Sequence, residues 1–599
     1  MKPRAGGWLL AIIIAHVTYA LASSSSVSTP DVNLGYATYR GSYNDTYGLN
    51  IWKSIRYAAA PIGKLRWQAP QAPPEDNWEV LPAVDQPPIC PQTGAFGVPS
   101  VYGFNSGPGD EDCLYLNVYA AQNASGLPVL VWIHGGGHNL NGAIYDPSEW
   151  MAANDNGFVT VEIQYRLGAF GFLSSADIKA NGQLNAGLLD QRFALEWVQK
   201  HVAKFGGDPS RVTIGGESSG AGAVFYHVLG YGGKESDLFN NVIAASPYIP
   251  SVYRYSDPLP TSHYNKFAEL VGCGQNSSNI KAHSGVFECL VAADTEVLQN
   301  ASGTVSTTEG YFGSWAFLPV IDGEYIQERP AVQSLHGDVS GKRLLVGNNA
   351  NDGSPLTNPE VRTRAEYDSF ISTAFPLFNS GDIALLNSIY QIDSLPDNDG
   401  ILFDTLGSSG PTALSQSSFA TGIQQATFNI AAETTFDCPA QWLAEAFSTY
   451  GRQAWKYQYS VTPSFHGADL NAYFSTGQTA PNADFQRAMR KMWGNFIMHN
   501  TPVISLADAT ANYSNASVPV GVYGNIDWPE FTLSTPWQMN LNTTGGNVSK
   551  VTVTPELSYF VRSGVGIVNN FSLADAFSWE GGRGYRCGFW RTVSERVPQ

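Results

Sequence analysis

Ser218 stands in Gly216-Glu-Ser-Ser-Gly220, a serine flanked by glycines directly after an apolar strand candidate at 211–214 and before a run of small residues able to open a helix. Such a strand-to-helix turn holds its central residue in a strained conformation, and a Cβ at either flanking position would meet the neighbouring strand or helix. The chemistry it serves is attack by a hydroxyl presented above a sheet. That attack puts negative charge on the oxygen of the carbonyl, and backbone N–H groups can face this oxygen only where side chains are absent. Trp132-Ile-His-Gly-Gly-Gly137 meets the condition: the N–H groups of Gly136 and Gly137, joined by that of Ser219, are the predicted oxyanion donors. A phosphate-binding turn is the competing use of these glycines, but no P-loop lysine follows and the order is wrong for a dinucleotide site.

A serine hydroxyl becomes nucleophilic at neutral pH when an imidazole takes its proton, and the imidazole needs a carboxylate to fix its tautomer. With the order serine, acid, histidine, two histidines remain at the far end, His466 and His499. His499 closes an apolar helical pattern and reads as a cap or packing residue. His466, in Ser464-Phe-His-Gly-Ala-Asp469 just beyond a strand candidate, is assigned as general base. The acid is assigned to Asp352, in Gly347-Asn-Asn-Ala-Asn-Asp-Gly353 a few residues after an apolar strand; Asp322, in another Asp-Gly turn, is its rival. Protonation of the base predicts loss of activity below about pH 6. Glu217, beside the nucleophile, is open to three uses: ordering water, balancing imidazolium charge, or structural hydrogen bonding.

These residues need a scaffold. Short apolar strand candidates at 127–133, 159–164, 211–214, 242–245, 344–346 and 454–459 alternate with helical patterns, clearest at 191–205 and 484–499. The alternation predicts a mostly parallel sheet covered by helices on both faces. The stretches 352–425 and 509–558 are polar, poorly periodic and unplaced. Residues 1–22 read as a secretory leader, with Lys2 and Arg4 before an apolar run and Ala20-Leu-Ala22 as the cleavage signal; a membrane anchor would need a longer run. The mature chain, 23–599, is expected to be one extracellular domain with no membrane anchor. Sequons lie at Asn44, Asn123, Asn276, Asn300, Asn512, Asn515, Asn542, Asn547 and Asn570. Six cysteines suggest three disulfides, for which the spacing proposes Cys90 with Cys113, Cys273 with Cys289, and Cys438 with Cys587; sequence leaves the connectivity open. There is no Cys-x-x-Cys or His-x-x-x-His cluster, so neither metal nor other cofactor is expected. A formal charge of -18 repels nucleic acid and anionic membranes.

Taken together, these segments resemble the type-B carboxylesterase and lipase family, cholinesterases and secreted fungal esterases included. The resemblance rests on the motifs above and on Gly63-Lys-Leu-Arg-Trp67, Glu111-Asp-Cys-Leu-Tyr-Leu-Asn117, Tyr165-Arg-Leu-Gly-Ala-Phe-Gly-Phe172 and Gly187-Leu-Leu-Asp-Gln-Arg192. It implies an α/β-hydrolase fold, a Ser-His-Asp triad, an acyl-enzyme intermediate and a small-molecule ester substrate, with oligomeric state left open. It also implies buried ion pairs of Arg66 with Glu111 and Arg166 with Asp190, and it agrees with the proposed disulfides, the first of which closes a flap at the active-site mouth. A loop of that length, closed covalently, is stabilised by about 3 kcal/mol, so the flap is expected to be a tethered rim. Its Phe96, Val98, Val101, Tyr102 and Phe104 are interspersed with Gly and Pro, which favours an esterase of soluble or modest-length esters over an interfacial lipase. The chain departs from the family's usual residues at Asp352 for Glu, Ser219 for Ala, and His138 for an aromatic; His138 is open to a pocket-wall or a packing role.

Overall fold

Apolar runs flanked by glycine turns build the centre of the molecule. The computed structural model describes residues 31–100, 103–234, 237–277, 283–395, 407, 412–474 and 481–597. The expected leader, along with Val101 and Tyr102 of the flap, lies outside the described residues. The main sheet has eleven strands: β1 (Ser42–Asn44), β2 (Leu49–Arg56), β3 (Tyr115–Ala121), β4 (Leu127–Ile133), β5 (Val159–Ile163), β6 (Gly207–Glu217), β7 (Asn241–Ala245), β8 (Arg343–Asn349), β9 (Gln453–Tyr459), β10 (Trp537–Thr544) and β11 (Val568–Asp575). Their spatial order is β11-β10-β9-β8-β7-β6-β4-β5-β3-β2-β1. Pairing is parallel from β5 across to β10 and antiparallel at both margins. This is the α/β-hydrolase arrangement, a large mixed sheet with helices around it.

The strands are apolar throughout because both faces are covered. In β4, Val129, Val131 and Ile133 point into one core layer and Leu130 and Trp132 into the other, the period-two alternation of a strand. Helices α1 (Ala186–His201) and α2 (Ser219–Leu229) cover the first face with Leu188, Leu195, Val198, Val224 and Val228. Helix α5 (Ala483–His499) covers the second with Met489, Met492, Trp493 and Phe496. A third cluster joins α3 (Gly422–Ala432), α4 (Cys438–Phe447) and α6 (Trp579–Thr592) around Trp442 and Trp590.

Five of the six strand candidates fall inside observed strands of the central sheet, and the sixth, 159–164, overruns β5 by one residue; the helical pattern 484–499 lies inside α5, while 191–205 lies on α1 and a short 3-10 turn, Val202–Phe205, that follows it. The unplaced stretch 352–425 holds helices Arg364–Ala374 and Ser380–Ile389, each opened by a capping box, Thr363 with Glu366 and Asn379 with Asp382. The stretch 509–558 holds β10 and the first strand of a hairpin, Asn547–Thr552 with Ser558–Ser563.

All three disulfides pair as the spacing proposes: Cys90 with Cys113, Cys273 with Cys289, and Cys438 with Cys587. Arg66 donates to both oxygens of Glu111, at 2.7 and 2.6 Å, and Arg166 to both oxygens of Asp190, each at 2.7 Å; both pairs are buried. Among the sequons, Asn542 needs correction. It lies buried within β10, opposite Asn570 of β11, with its side-chain oxygen accepting from the N–H of Thr543 at 2.8 Å, and a glycan has no room there. Asn123, Asn276, Asn300, Asn512, Asn515 and Asn547 are exposed, while Asn44 and Asn570 are partly covered. Among the described residues, no helix is long and apolar enough to cross a membrane.

Candidate active site

The parallel strands end at one edge of the sheet, and every expected site residue sits just past such an end, where open α/β sheets hold their ligands. Ser218 follows β6 and precedes α2. Its backbone takes φ 58° and ψ -127°, a conformation costly for a side-chain-bearing residue. The turn survives because it is fixed from both sides: the Ser218 N–H donates to the Ala245 carbonyl at 3.0 Å, while the Ser218 carbonyl accepts from Gly222 and Tyr248 at 2.9 and 3.0 Å. Gly220 makes the turn possible, since a Cβ there would lie 2.0 Å from the Ile133 carbonyl oxygen.

The Ser218 hydroxyl donates to His466 Nε2 at 2.7 Å, and His466 Nδ1–H donates to Asp352 Oδ1 at 2.9 Å. Residues more than a hundred positions apart are thus brought into one relay. Asp352 is fully buried; its other oxygen accepts from the Asn349 N–H at 2.7 Å and the Ser246 hydroxyl at 2.8 Å. The loops that carry Asp352 and His466 are laced together: the Asn351 N–H donates to Ser464 O, the His466 N–H to Ser354 O, and the Asn351 side-chain amide to Pro463 O at 2.9 Å. Asn349 bridges Phe465 O and Asp469 with its own amide. The rivals stand elsewhere. Asp322 accepts from Asn185, Glu324 and Ile326 as the core of a turn, and His499 is exposed in the last turn of α5.

The glycine loop expected to hold the oxyanion follows β4. Gly136 and Gly137 have φ of 109° and 65°, and a Cβ on Gly137 would lie 2.7 Å from the Trp315 ring. The Gly136 carbonyl accepts from Asn139 and Leu140, and the Gly137 carbonyl from the Asn139 amide at 2.7 Å, so the loop's carbonyls are pinned. The Ser219 N–H opens α2 and has no intrahelical acceptor. Gly136 is the partly exposed member of this loop, while Ser218 and His466 are only 7% and 8% exposed.

Carboxylates crowd His466. Glu217 Oε1 lies 3.7 Å from His466 Nε2; burial first, then the charges of Asp469 and Asp352, push the Glu217 carboxyl well above its usual range. Asp469, which accepts from Asn349 and Tyr473, is pushed up by burial to about 6. His138 packs, rather than lining a pocket: it is fully buried against Phe172, Tyr226 and Tyr248, and burial depresses its imidazole to about 3.

Aromatic rings complete the walls. Phe436 covers the His466 ring at 4.1 Å between centroids, Tyr248 lies against Phe436 at 5.6 Å, and Trp315 against Tyr248 at 5.8 Å. Behind Tyr248 and Trp315 lies a largely apolar cavity of about 230 Å³, also lined by Tyr253, His263 and Leu318. The flap is tied down by backbone bonds, Phe96 N–H to Ser314 O at 3.0 Å and Gly313 N–H to Phe96 O at 2.9 Å, in keeping with a fixed rim.

Sequence reasoning missed Ser246, Asn349, Asn351, Asp469, Phe436 and Trp315. The asparagines sit inside the segment that gave Asp352, and Asp469 inside the one that gave His466, so proximity to the motif was an available signal. Ser246 and Phe436 carried none.

The Carboxylesterase family model matches residues 28–559. Secreted lipase 1 of Botryotinia fuckeliana is 32% identical over 372 residues, 57% of this chain and 62% of its own length. Carboxylesterase patB of Penicillium expansum is 27% identical over 530 residues, covering 79% of this chain and 88% of its own. The crystal structure of Aspergillus niger EstA superposes with a TM-score of 0.72 at 25% identity, covering 96% of this chain and 99% of that one.

Proposed function

The chain belongs to the carboxylesterase family and is an ester hydrolase, and on that premise we propose that Ser218, His466 and Asp352 form its catalytic triad. The observation carrying this reading is the continuous relay from the Ser218 hydroxyl through His466 to the buried Asp352 carboxylate. In the first half-reaction Ser218 Oγ bonds to the ester carbonyl carbon and its proton passes to His466 Nε2. The N–H groups of Gly136, Gly137 and Ser219 hold the oxyanion, and Asp352 balances the imidazolium. Collapse breaks the bond to the alkoxy oxygen, which takes the proton from His466 and leaves as alcohol. Water then repeats the sequence on the acyl-enzyme, releasing the acid and restoring Ser218.

The substrate class is soluble esters of modest acyl length. This is supported by the aromatic walls at Phe436, Tyr248 and Trp315 and by a flap fixed by backbone bonds rather than free to swing at an interface. The Botryotinia relative, named a secreted lipase, favours a lipase as the second reading. The mature protein is proposed to be a secreted single domain carrying glycans on its exposed sequons, supported by three disulfides and by relatives named as secreted. Hydrolysis of p-nitrophenyl acetate and butyrate by the wild type and Ser218→Ala tests the triad, and emulsified triolein beside tributyrin tests the substrate class. Wild-type turnover of the short esters that Ser218→Ala lacks is expected; equal rates in the two proteins would overturn the triad, and faster turnover of the emulsion would favour the lipase.

A further inference from the structure

Phe436 lies in a five-residue π-helix, Glu433–Asp437, inserted between α3 and α4. Such turns cost hydrogen-bond quality and gather at functional sites. Here the insertion delivers one ring, 1% exposed, onto the face of His466 at 4.1 Å between centroids and 35° between planes.

The turn is anchored more heavily than its size requires. Glu433 accepts from Arg586 Nε at 2.8 Å, from Arg586 Nη2 at 2.5 Å and from the Tyr390 hydroxyl at 2.6 Å, all buried. Burial pushes the Glu433 carboxyl up, and Arg586 and Arg583 pull it down further, leaving it below its usual range. Arg583 reaches Asp437 at 3.1 Å, the Thr435 carbonyl accepts from the Ile249 N–H at 2.9 Å, and the next residue, Cys438, is bridged to Cys587. These bonds, on both ends of the turn, fix where its backbone runs and so where the Phe436 ring lies.

That geometry has a chemical use. In acyl transfer the imidazole becomes a cation, and a cation close to an aromatic face is stabilised by the ring's negative quadrupole. Asp352 and Glu217 meet the edges of the His466 ring, at 2.9 and 3.7 Å, and the Asp469 carboxyl, bonded to Asn349 and Tyr473, acts on it through its charge; among the described residues Phe436 is the aromatic ring that covers its plane.

We infer that Phe436 is a positioning residue for His466, holding the imidazole between Ser218 and Asp352 and stabilising the imidazolium, with the Glu433–Arg586 pair and the Cys438–Cys587 bridge holding the ring in place. The inference rests on His466 being the general base. The test compares Phe436→Leu, which fills space without a π face, with Phe436→Tyr, which keeps the face. Rates on p-nitrophenyl butyrate are measured from pH 4 to 8, with active sites counted by organophosphate titration. Phe436→Leu is expected to lower kcat about 3- to 30-fold with KM within about twofold, the size of a cation–π contact. The acid limb of its pH profile moves to lower pH, because the charged imidazole has lost a stabilising neighbour. Phe436→Tyr stays within about threefold of wild type with the limb unmoved. An unchanged kcat and acid limb in Phe436→Leu, or an equal loss in Phe436→Tyr, overturns the inference. If Phe436→Leu does not fold, Phe436→Met carries the same expectation. His466→Ala separates the two levels: an active His466→Ala removes the base reading, whereas an inert His466→Ala beside an unaffected Phe436→Leu removes only the role of the ring.

Discussion

The two halves of the site are built in different ways. The proposed oxyanion loop and nucleophile turn are short contiguous segments, Trp132–Gly137 and Gly216–Gly220, whose geometry follows from glycines at fixed offsets and the ends of two adjacent parallel strands. The proposed acid and base, Asp352 and His466, come from loops more than a hundred residues apart, held by Ser246, Asn349 and Asn351, with a π-helix ring laid across His466. One half is encoded locally, and the other exists only once the chain has folded. The locally encoded half should therefore break through backbone strain and the assembled half through loss of single hydrogen bonds.

The sharpest test of the assembled half is Asp352→Asn, which keeps the shape but removes the charge and the preferred tautomer; kcat is expected to fall about 10⁴-fold with Tm little changed. Asp322→Asn, at the rival turn, should leave kcat within about threefold, because Asp322 bonds Asn185 and its own turn rather than His466. A large loss in Asp322→Asn with little in Asp352→Asn would reverse the assignment.

In the locally encoded half, Gly137→Ala forces a Cβ against Trp315 at a positive φ. The expected result is a fall in kcat of about 100- to 1,000-fold, the cost of losing an oxyanion donor, checked with circular dichroism to show the fold is retained. A near-wild-type Gly137→Ala would mean the loop does not bind the oxyanion.

The sequence carried these two halves unequally. Strand ends and glycine motifs announced Ser218, Gly136 and Gly137, since local sterics alone require those residue types. Asp352 and His466 emerged from strand context and chain order, with a rival left for each, because a carboxylate or imidazole in a polar loop has many uses. Ser246 was silent: a serine after a strand gains meaning only when β7 and β8 lie side by side and bring its hydroxyl to Asp352. Phe436 was silent for the same reason, and the burial of Asn542 followed from the register of β10 against β11.

Ser246→Ala refines the assembled half at smaller amplitude. It removes one of two donors to Asp352 Oδ2 and leaves the Asn349 N–H, so kcat should fall about tenfold, the size of a charge-assisted hydrogen bond. Smaller still is a pH effect on stability at Asp469. Burial raises its carboxyl from 3.8 to about 6, so the folded chain binds this proton more tightly than the unfolded chain does. The contribution is full below about pH 4 and is lost as pH rises through 6. Thermal unfolding at pH 4 and pH 7 should show wild type losing a few degrees relative to Asp469→Asn, in which this proton is absent. Parallel shifts in the two proteins would place the pH dependence elsewhere.

The central claim is that one serine, activated by one histidine, carries the acyl group. Reaction with a fluorescent organophosphate, followed by peptide mapping, tests it most directly. The account predicts one label per chain, on Ser218, absent in Ser218→Ala and strongly slowed in His466→Ala; label on another residue, or undiminished labelling of Ser218→Ala, would contradict it.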